Sequence, residues 1–422
     1  MTAHDITIPL NIPGLRVLKT QIRQDNSIII DVESEAKGAH CHRCGRFIEK
    51  FHGLGRPLLL RHLPILDRPV YLRIRPKRFV CQECDHQPTT TQSCDWYEAN
   101  ASYTKAYAQF ILRELVHSTI VDVSIKQAIG QDAVLGMVER LISTEPNWAG
   151  LENCRELGID EISIKKGHQD FITLISCKNK DNEISLLAVL ADRKKASLQT
   201  FLESIPAPLK PQIKRVCTDM YDGFINAVHE ALPHAEVVID RFHVAKNYRA
   251  CADKVRQREL KRLKKALPGE EYDKIKHTMW PFRKAWENLT ADEKQRLQLL
   301  LSYSSELQQA YFFRELLSWI FRQNISKSKA LDYLYIWRDL VERSELACYD
   351  TFLVTLKKHS NEIGNYFLDR ESSGFVEGLN NKVKVLLRRC YGLFNLEHLR
   401  QRLKLDLEGY ALFAHQETRL FT

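Results

Sequence analysis

Leu157-Gly158-Ile159-Asp160-Glu161-Ile162-Ser163-Ile164 places apolar residues at a period of two and carries an aspartate in its middle, the pattern of a half-buried β-strand. Two more strands follow at Phe171–Cys177 and Glu183–Leu190, joined by a polar turn at Asn179–Asn182. Three strands in succession with short connections predict an antiparallel meander. Beyond it the chain reads as a helix (Ala196–Ile205), a proline-rich loop (Pro206, Pro208, Pro211), and a strand from Ile213 to Thr218 that runs into Asp219. A helix (Tyr221–Leu232), a strand (Ala235–Ile239) and Asp240-Arg241-Phe242-His243 at the start of another helix complete the block.

The order strand, strand, strand, helix, strand, helix, strand, helix is that of a ribonuclease-H-like sheet, an α/β fold with a mixed five-stranded sheet. Its first strand is central and its fourth adjoins it, so Asp160 and Asp219 are expected on neighbouring strands. A third acid lies far downstream, in Ser372-Ser373-Gly374-Phe375-Val376-Glu377-Gly378-Leu379-Asn380-Asn381-Lys382-Val383-Lys384, which runs on to Arg388, Arg389, Tyr391 and Gly392. Read as a helix, this stretch sets Glu377, Asn380, Asn381, Lys384 and Arg388 on one side and Leu379, Val383, Leu386, Leu387 and Cys390 on the other. One carboxylate then stands among amides and cations, backed by an apolar seam fit to lie against a sheet. A solvated helix face has the same pattern; the two strand-end aspartates upstream favour a site.

Upstream of the sheet, Cys41-His42-Arg43-Cys44 and Cys81-Gln82-Glu83-Cys84 frame residues 45–80. Each Cys-x-x-Cys puts two sulfurs on one tight turn, and two such turns complete a tetrahedral zinc site. The gap exceeds that of a usual zinc ribbon, and His40, His42, His86 and Cys94 are substitute ligands within reach in sequence. Between the knuckles, Val70-Tyr71-Leu72-Arg73-Ile74-Arg75 reads as a strand with Arg73 and Arg75 on its exposed side. Residues 122–138 give a short helix, a turn at Gly130 and a second helix, the spacing of a helix-turn-helix, and a linker containing Pro146 follows.

The 422 residues predict two to four structural units. Charge is clustered more than it is large: 62 Lys+Arg stand against 53 Asp+Glu. Residues 56–78 and 382–404 are both strongly basic, as expected of a protein that touches a polyanion at several places. The N-terminus lacks a basic start and apolar core, and no apolar run is long enough to span a bilayer, so neither secretion nor a membrane is expected. Eleven cysteines, an odd number with several inside apolar strands, argue for reduced thiols and one metal site. Residues 250–369 show no strand alternation. They open with a basic run from Lys254 to Lys265 and carry Trp280, Trp286, Trp319 and Trp337, tryptophans read as core before base-stacking platforms.

Taken together, the double Cys-x-x-Cys, Gly158-Ile159-Asp160-Glu161, Thr218-Asp219-Met220, Asp240-Arg241-Phe242-His243 and Ser373 to Lys382 resemble the DDE transposases of bacterial insertion sequences. The likeness is to the family with an N-terminal zinc finger, a helix-turn-helix and an interrupted ribonuclease-H-like domain. It implies Asp160, Asp219 and Glu377 as catalytic carboxylates that hold two Mg²⁺ or Mn²⁺ ions, Cys41, Cys44, Cys81 and Cys84 as ligands of one structural Zn²⁺, and Asp240 with His243 as an acid-x-x-His signature behind them. Asn380, Asn381, Lys384 and Arg388 would contact phosphates, as would Arg73 and Arg75. The organisation implied is a zinc-binding module (1–100), a helix-turn-helix (101–150), a first catalytic part (151–249), a helical insertion (250–369) and C-terminal catalytic helices (370–422). The activity implied is cleavage and strand transfer at the ends of an insertion sequence. Its partners would be terminal-repeat and target double-stranded DNA, engaged by a homodimer or higher oligomer in the bacterial cytoplasm, associated with the nucleoid. A ribonuclease-H-fold nuclease without strand transfer and a zinc-containing regulator are the competing readings.

Overall fold

The computed structural model describes residues 10–146, 148, 154–163, 171–179, 184–369, 374–390 and 395–413. Ile164, the turn residues beyond Asn179, and Ser372, Ser373, Tyr391 and Gly392 lie outside them. The chain divides into two compact units, one of residues up to Ser143 together with those from Lys404, the other Thr144–Leu403.

The first unit opens with β1 (Leu15–Ile22), β2 (Ile28–Ser34), β3 (Ala39–His40), β4 (Phe47–Ile48), β5 (Phe51–Leu54), β6 (Leu58–Ile65), β7 (Arg68–Ile74), β8 (Lys77–Val80) and β9 (Thr89–Thr91). A four-stranded sheet runs β1-β2-β7-β6 and a three-stranded one β5-β8-β9. In β7 the period of two is realised: Val70, Leu72 and Ile74 are buried against Ile28, Ile30, Val32 and Leu60. Three helices follow, α1 (Lys105–Leu115), α2 (Ile120–Gln127) and α3 (Gln131–Leu141). Thr104 and Thr119 cap the first two by accepting hydrogen bonds from the N–H groups of Tyr107 and Asp122. Between α2 and α3 the residue that turns the chain is Ala128, left-handed at φ 50°, while Gly130 caps α3. His62 joins sheet to helix, its Nδ1 lying 3.0 Å from Thr104 Oγ1 in the interior.

The second unit is built on β10 (Cys154–Ser163), β11 (Phe171–Asn179), β12 (Ile184–Leu190), α4 (Lys195–Ser204), β13 (Arg215–Thr218), α5 (Asp222–Ala231), β14 (Glu236–Ile239) and α6 (Arg241–Ala266). Its sheet order is β12-β11-β10-β13-β14. β10, β11 and β12 pair antiparallel as expected of the meander, while β10–β13 and β13–β14 are parallel. β10 is central and buried along most of its length, because side chains on both of its faces are covered. One expectation fails here. Cys154 and Cys177 form a disulfide, with Cα atoms 5.9 Å apart, where reduced thiols were expected. Pairing of β10 with β11, with a register irregularity after Cys154, brings the two sulfurs together.

Helices alone follow among the described residues: α7 (Gly269–Ile275), α8 (Met279–Arg283), α9 (Ala291–Ser302), α10 (Ser305–Arg322), α11 (Lys327–Glu342), α12 (Asp350–Lys358), α13 (Ser360–Gly364), α14 (Tyr366–Asp369), α15 (Gly374–Arg389) and α16 (Leu396–Phe413). The tryptophans divide. Trp337 is fully buried and donates to the Phe313 carbonyl at 2.9 Å, whereas Trp280 and Trp319 are exposed. Three of the seven cations in the basic run on α6 are paired within the unit, Arg256 with Asp253, and Arg258 and Arg262 with Glu259. No described helix is long and apolar enough to cross a membrane.

Candidate active site and metal centre

Sheet register assembles the acidic site. In the parallel pairing of β10 with β13, Glu156 stands opposite Arg215 and Gly158 opposite Cys217; two residues further on, the same register sets Asp160 beside Asp219. In the next pairing Thr218 faces Ile239, so Asp240 continues the row. Neighbouring strands lie about 4.8 Å apart and residues in register share a face. Asp219 and Asp240 therefore follow the carboxyl ends of β13 and β14, the usual place for a site in an α/β sheet, and Asp160 stands beside them in the middle of β10.

Each acid is held by a different donor. Asp160 is buried; its Oδ1 accepts from the Glu161 N–H at 2.7 Å and its Oδ2 from the side-chain amide of Asn380. Asp219 Oδ1 accepts from the Tyr221 N–H at 2.9 Å. Asp240 caps α6 by accepting from the Phe242 N–H at 2.9 Å, which fixes where the helix starts and hence where His243, in its first turn, points. Burial pushes the Asp160 carboxyl above its ordinary value, a rise opposed by the charge of His243, the Glu161 N–H and Asn380. Burial likewise raises Asp219, opposed by the Tyr221 N–H and His243 and reinforced by the charges of Asp160 and Glu161. His243 thus faces both aspartates, and the aspartates feel each other.

Glu377 lies on α15, which packs against β10. The approach depends on Gly158: a Cβ there would meet Val376 Cγ2 at 2.5 Å and Phe375 Cε2 at 2.9 Å. With Val376 seated over Gly158 and Asn380 bonded to Asp160, the first turns of α15 track the strand. Glu377, one residue after Val376 and three before Asn380, is exposed beside this contact. The helix divides differently from its sequence reading in one respect. Asn380 belongs with Val376, Leu379, Val383 and Leu386 on the buried face, because its amide is drawn to a buried carboxylate, while Asn381, Lys384 and Arg388 are exposed.

A second cluster is Cys41, Cys44, Cys81 and Cys84, whose sulfurs all lie within 4.8 Å of one another, with Cys41 to Cys84 at 4.0 Å and Cys44 to Cys81 at 3.9 Å. Zinc–sulfur bonds of about 2.3 Å in a tetrahedron need sulfurs at about this spacing. The Cys44 and Arg43 N–H groups draw the Cys41 thiol down to about 6, and its thiol neighbours together with burial push Cys84 up to about 12. Four crowded sulfurs cannot all ionise without a cation among them. Three of the four substitute ligands have other partners: His40 Nδ1 lies 3.1 Å from the Gly45 carbonyl, His42 Nδ1 is 3.0 Å from Thr90 Oγ1, and Cys94 Sγ accepts from Gln92.

The remaining cations differ in freedom. Arg73 is forked onto Asp31, which the β2–β7 register sets opposite it, at 2.8 Å through Nη2. Arg75 is exposed and donates to the Gly55 carbonyl at 3.3 Å. Two residues at the acidic site had no role in the sequence reading. Glu161 is sensed by both aspartates and pairs with Arg193 at 3.3 Å, and Arg193 lies over the rings of Phe171 and Tyr221. Glu161 was legible as the neighbour of Asp160. Arg193 carried no signal, since its contact is made across the sheet.

Comparison with known proteins identifies a family for the chain and a zinc finger near its start. Residues 157–403 match a family described as transposase, the DDE type of the ISL3 group, and residues 37–84 match the zinc finger of the transposases of IS204, IS1001, IS1096 and IS1165. The chain is 25% identical over 391 residues to the transposase for insertion sequence element IS1001 of Bordetella parapertussis, covering 91% of this chain and 93% of that one. It is also 25% identical over 399 residues to the transposase for IS1557 of Mycobacterium tuberculosis (strain CDC 1551 / Oshkosh), covering 89% and 87%.

Proposed function

This chain belongs to the DDE transposase family that its residues 157–403 match, enzymes that cleave and transfer DNA strands, and we propose that Asp160, Asp219 and Glu377 are its catalytic carboxylates. The observation that carries this is the register setting Asp160 beside Asp219, with α15 seated on Gly158. In this reading the five-stranded sheet is a ribonuclease-H-like fold, interrupted by the helices of residues 250–369 and completed by α15. The substrate is the double-stranded DNA at the two ends of an insertion sequence, joined to target DNA by a dimer or higher oligomer.

The donor set fits two hard divalent cations. It is all carboxylate oxygen, buried Asp160 and half-buried Asp219 lie beside each other with raised proton affinity, and the buried Oδ1 of Asn380 lacks a hydrogen-bond partner, as expected where a cation or its water completes the shell. When bound, Mg²⁺ or Mn²⁺ ions activate the attacking oxygen and stabilise the leaving one in an in-line displacement. The protein's own work is positional. Asn380 and the Glu161 N–H fix the rotamer of Asp160, the Tyr221 N–H fixes Asp219, and Arg193 offsets the third charge at Glu161. Lys384 and Arg388, exposed on α15, meet the DNA backbone, while α2, α3 and the zinc finger read the terminal repeat.

Incubating the purified protein with Mg²⁺ and DNA carrying its element's ends tests the reading. Nicks together with joined products are expected. Nicks without joining would make it a nuclease, and binding without cleavage in any divalent metal would overturn the assignment.

A further inference from the structure

A cavity of about 140 Å³ opens between α6 and α10. Arg241, Tyr248 and Arg249 of α6 and Arg314, Ser318 and Arg322 of α10 line it, and no aspartate or glutamate does. The spacing is regular: Arg241 and Arg249, like Arg314 and Arg322, are two helical turns apart on one face, with Ser318 midway on α10. The four guanidinium groups are not equivalent. Arg314 is fixed by the carbonyls of Arg283 and Lys284 and by Glu315, and Arg322 by Glu287. Arg241 and Arg249 are exposed and have no carboxylate partner among the described residues.

Two unpaired arginines on a surface are ordinarily just solvated. Here they converge on a concavity whose opposite wall carries two more; Glu315 and Glu287 answer the charges of Arg314 and Arg322, while no carboxylate among the described residues offsets Arg241 and Arg249. Clefts for drug-sized ligands run to about 300–1,000 Å³, so this one is too small for a nucleotide and suits one compact anion. Guanidinium forks match the oxygens of phosphate in pairs.

We propose that this cavity binds a single phosphate group through Arg241 and Arg249. The position on α6 favours a DNA strand as its carrier, an argument that rests on the transposase reading above. His243, which faces the aspartates, lies on the side of α6 away from Arg241, Tyr248 and Arg249. A helix is about 10–12 Å across and a DNA strand advances about 3.4 Å per nucleotide. A strand that reaches both faces must pass around α6, so the bound phosphate lies several nucleotides from the bond being cut, and it anchors the strand as it leaves the acidic row.

The test places a neutral methylphosphonate at each position in turn along the cleaved strand and measures binding and cleavage by the full-length protein and by the Arg241→Gln/Arg249→Gln variant. Wild type should lose about tenfold in binding at one position away from the bond being cut. The variant should lose the same amount on unmodified DNA and be indifferent to that substitution, since both changes remove one contact. A second arm follows thermal stability in inorganic phosphate. Stabilisation of wild type but not of the variant, with no sensitive DNA position, keeps the phosphate site and assigns it to a free phosphate. If no position is sensitive and phosphate stabilises both proteins equally or neither, the proposal is overturned. Wild type that cleaves no DNA would count against the transposase mechanism alone, because the phosphate arm needs no cleavage.

Discussion

The cysteine cluster and the acidic row hold metal-ligand side chains in opposite ways. Two local knuckles gather four sulfurs within 4.8 Å, so that the sites of attachment are set by turns of four residues each. The acids come from the middle of β10, the end of β13 and a helix far downstream, so their placement depends on strand register and helix packing. Thiols can crowd while protonated and release protons to zinc, whereas Asp160 and Asp219 are each oriented by a backbone N–H donor of their own. A thiolate site can thus stabilise a module with little core, whereas an acidic site depends on a fold already made and gives reactivity in return.

The sharpest way to break this contrast is to remove charge from the acids without changing their shape. Asp160→Asn, Asp219→Asn and Glu377→Gln should each lose cleavage and joining by several orders of magnitude while retaining end binding and thermal stability. Glu397, which accepts from Thr144 and pairs with Arg400, is the control, and Glu397→Gln should cost little. Parallel cleavage, gel-shift and melting measurements check this, and near-normal transposition by Glu377→Gln would refute its role.

Next in size is the reverse experiment on the sulfurs. Cys41→Ser or Cys81→Ser should release zinc and unfold the knuckle module, whose own apolar cluster is only Ala39, Cys41, Ile48, Phe79 and Cys81. Residues 144–403 should keep their fold. Elemental analysis with limited proteolysis reads both outcomes; a zinc-free wild type would sink the idea.

Asn380→Ala sharpens the comparison by touching a donor rather than a ligand. Loss of such a partner typically costs about 10–100-fold in metal affinity or activity, so the Mg²⁺ concentration for half-maximal cleavage should rise by about that factor. A lower rate with an unchanged Mg²⁺ midpoint would mean that Asn380 serves packing alone.

The smallest effect separates the two units by pH. Burial lowers the His62 imidazole below its ordinary 6.5. A base whose folded value is depressed contributes its stability above the unfolded value, and that stability is lost as pH falls from 6.5 through the folded value, because the unfolded chain takes the proton first. The first unit should weaken over that window and His62→Gln should flatten the dependence, as followed by melts between pH 7 and 5. An unchanged slope in the variant would assign the pH dependence elsewhere.

Much of this was legible in the chain itself. Period-two runs marked β7 and β10, and strand-helix order gave the meander and the neighbouring positions of Asp160 and Asp219. The Cys-x-x-Cys pairs marked the zinc ligands, and Asp240 stood at a helix start. Each of these rests on local periodicity or on a turn a few residues long. Tertiary structure alone decided the rest. It turned Asn380 inward onto Asp160, used the bare backbone of Gly158 to admit Val376, forked Arg73 onto Asp31, joined Cys154 to Cys177, and set two arginine-bearing helices across one cavity. These are contacts between residues distant in sequence. They depend on strand register and on which helix faces meet, and neither is written in the spacing of any one segment.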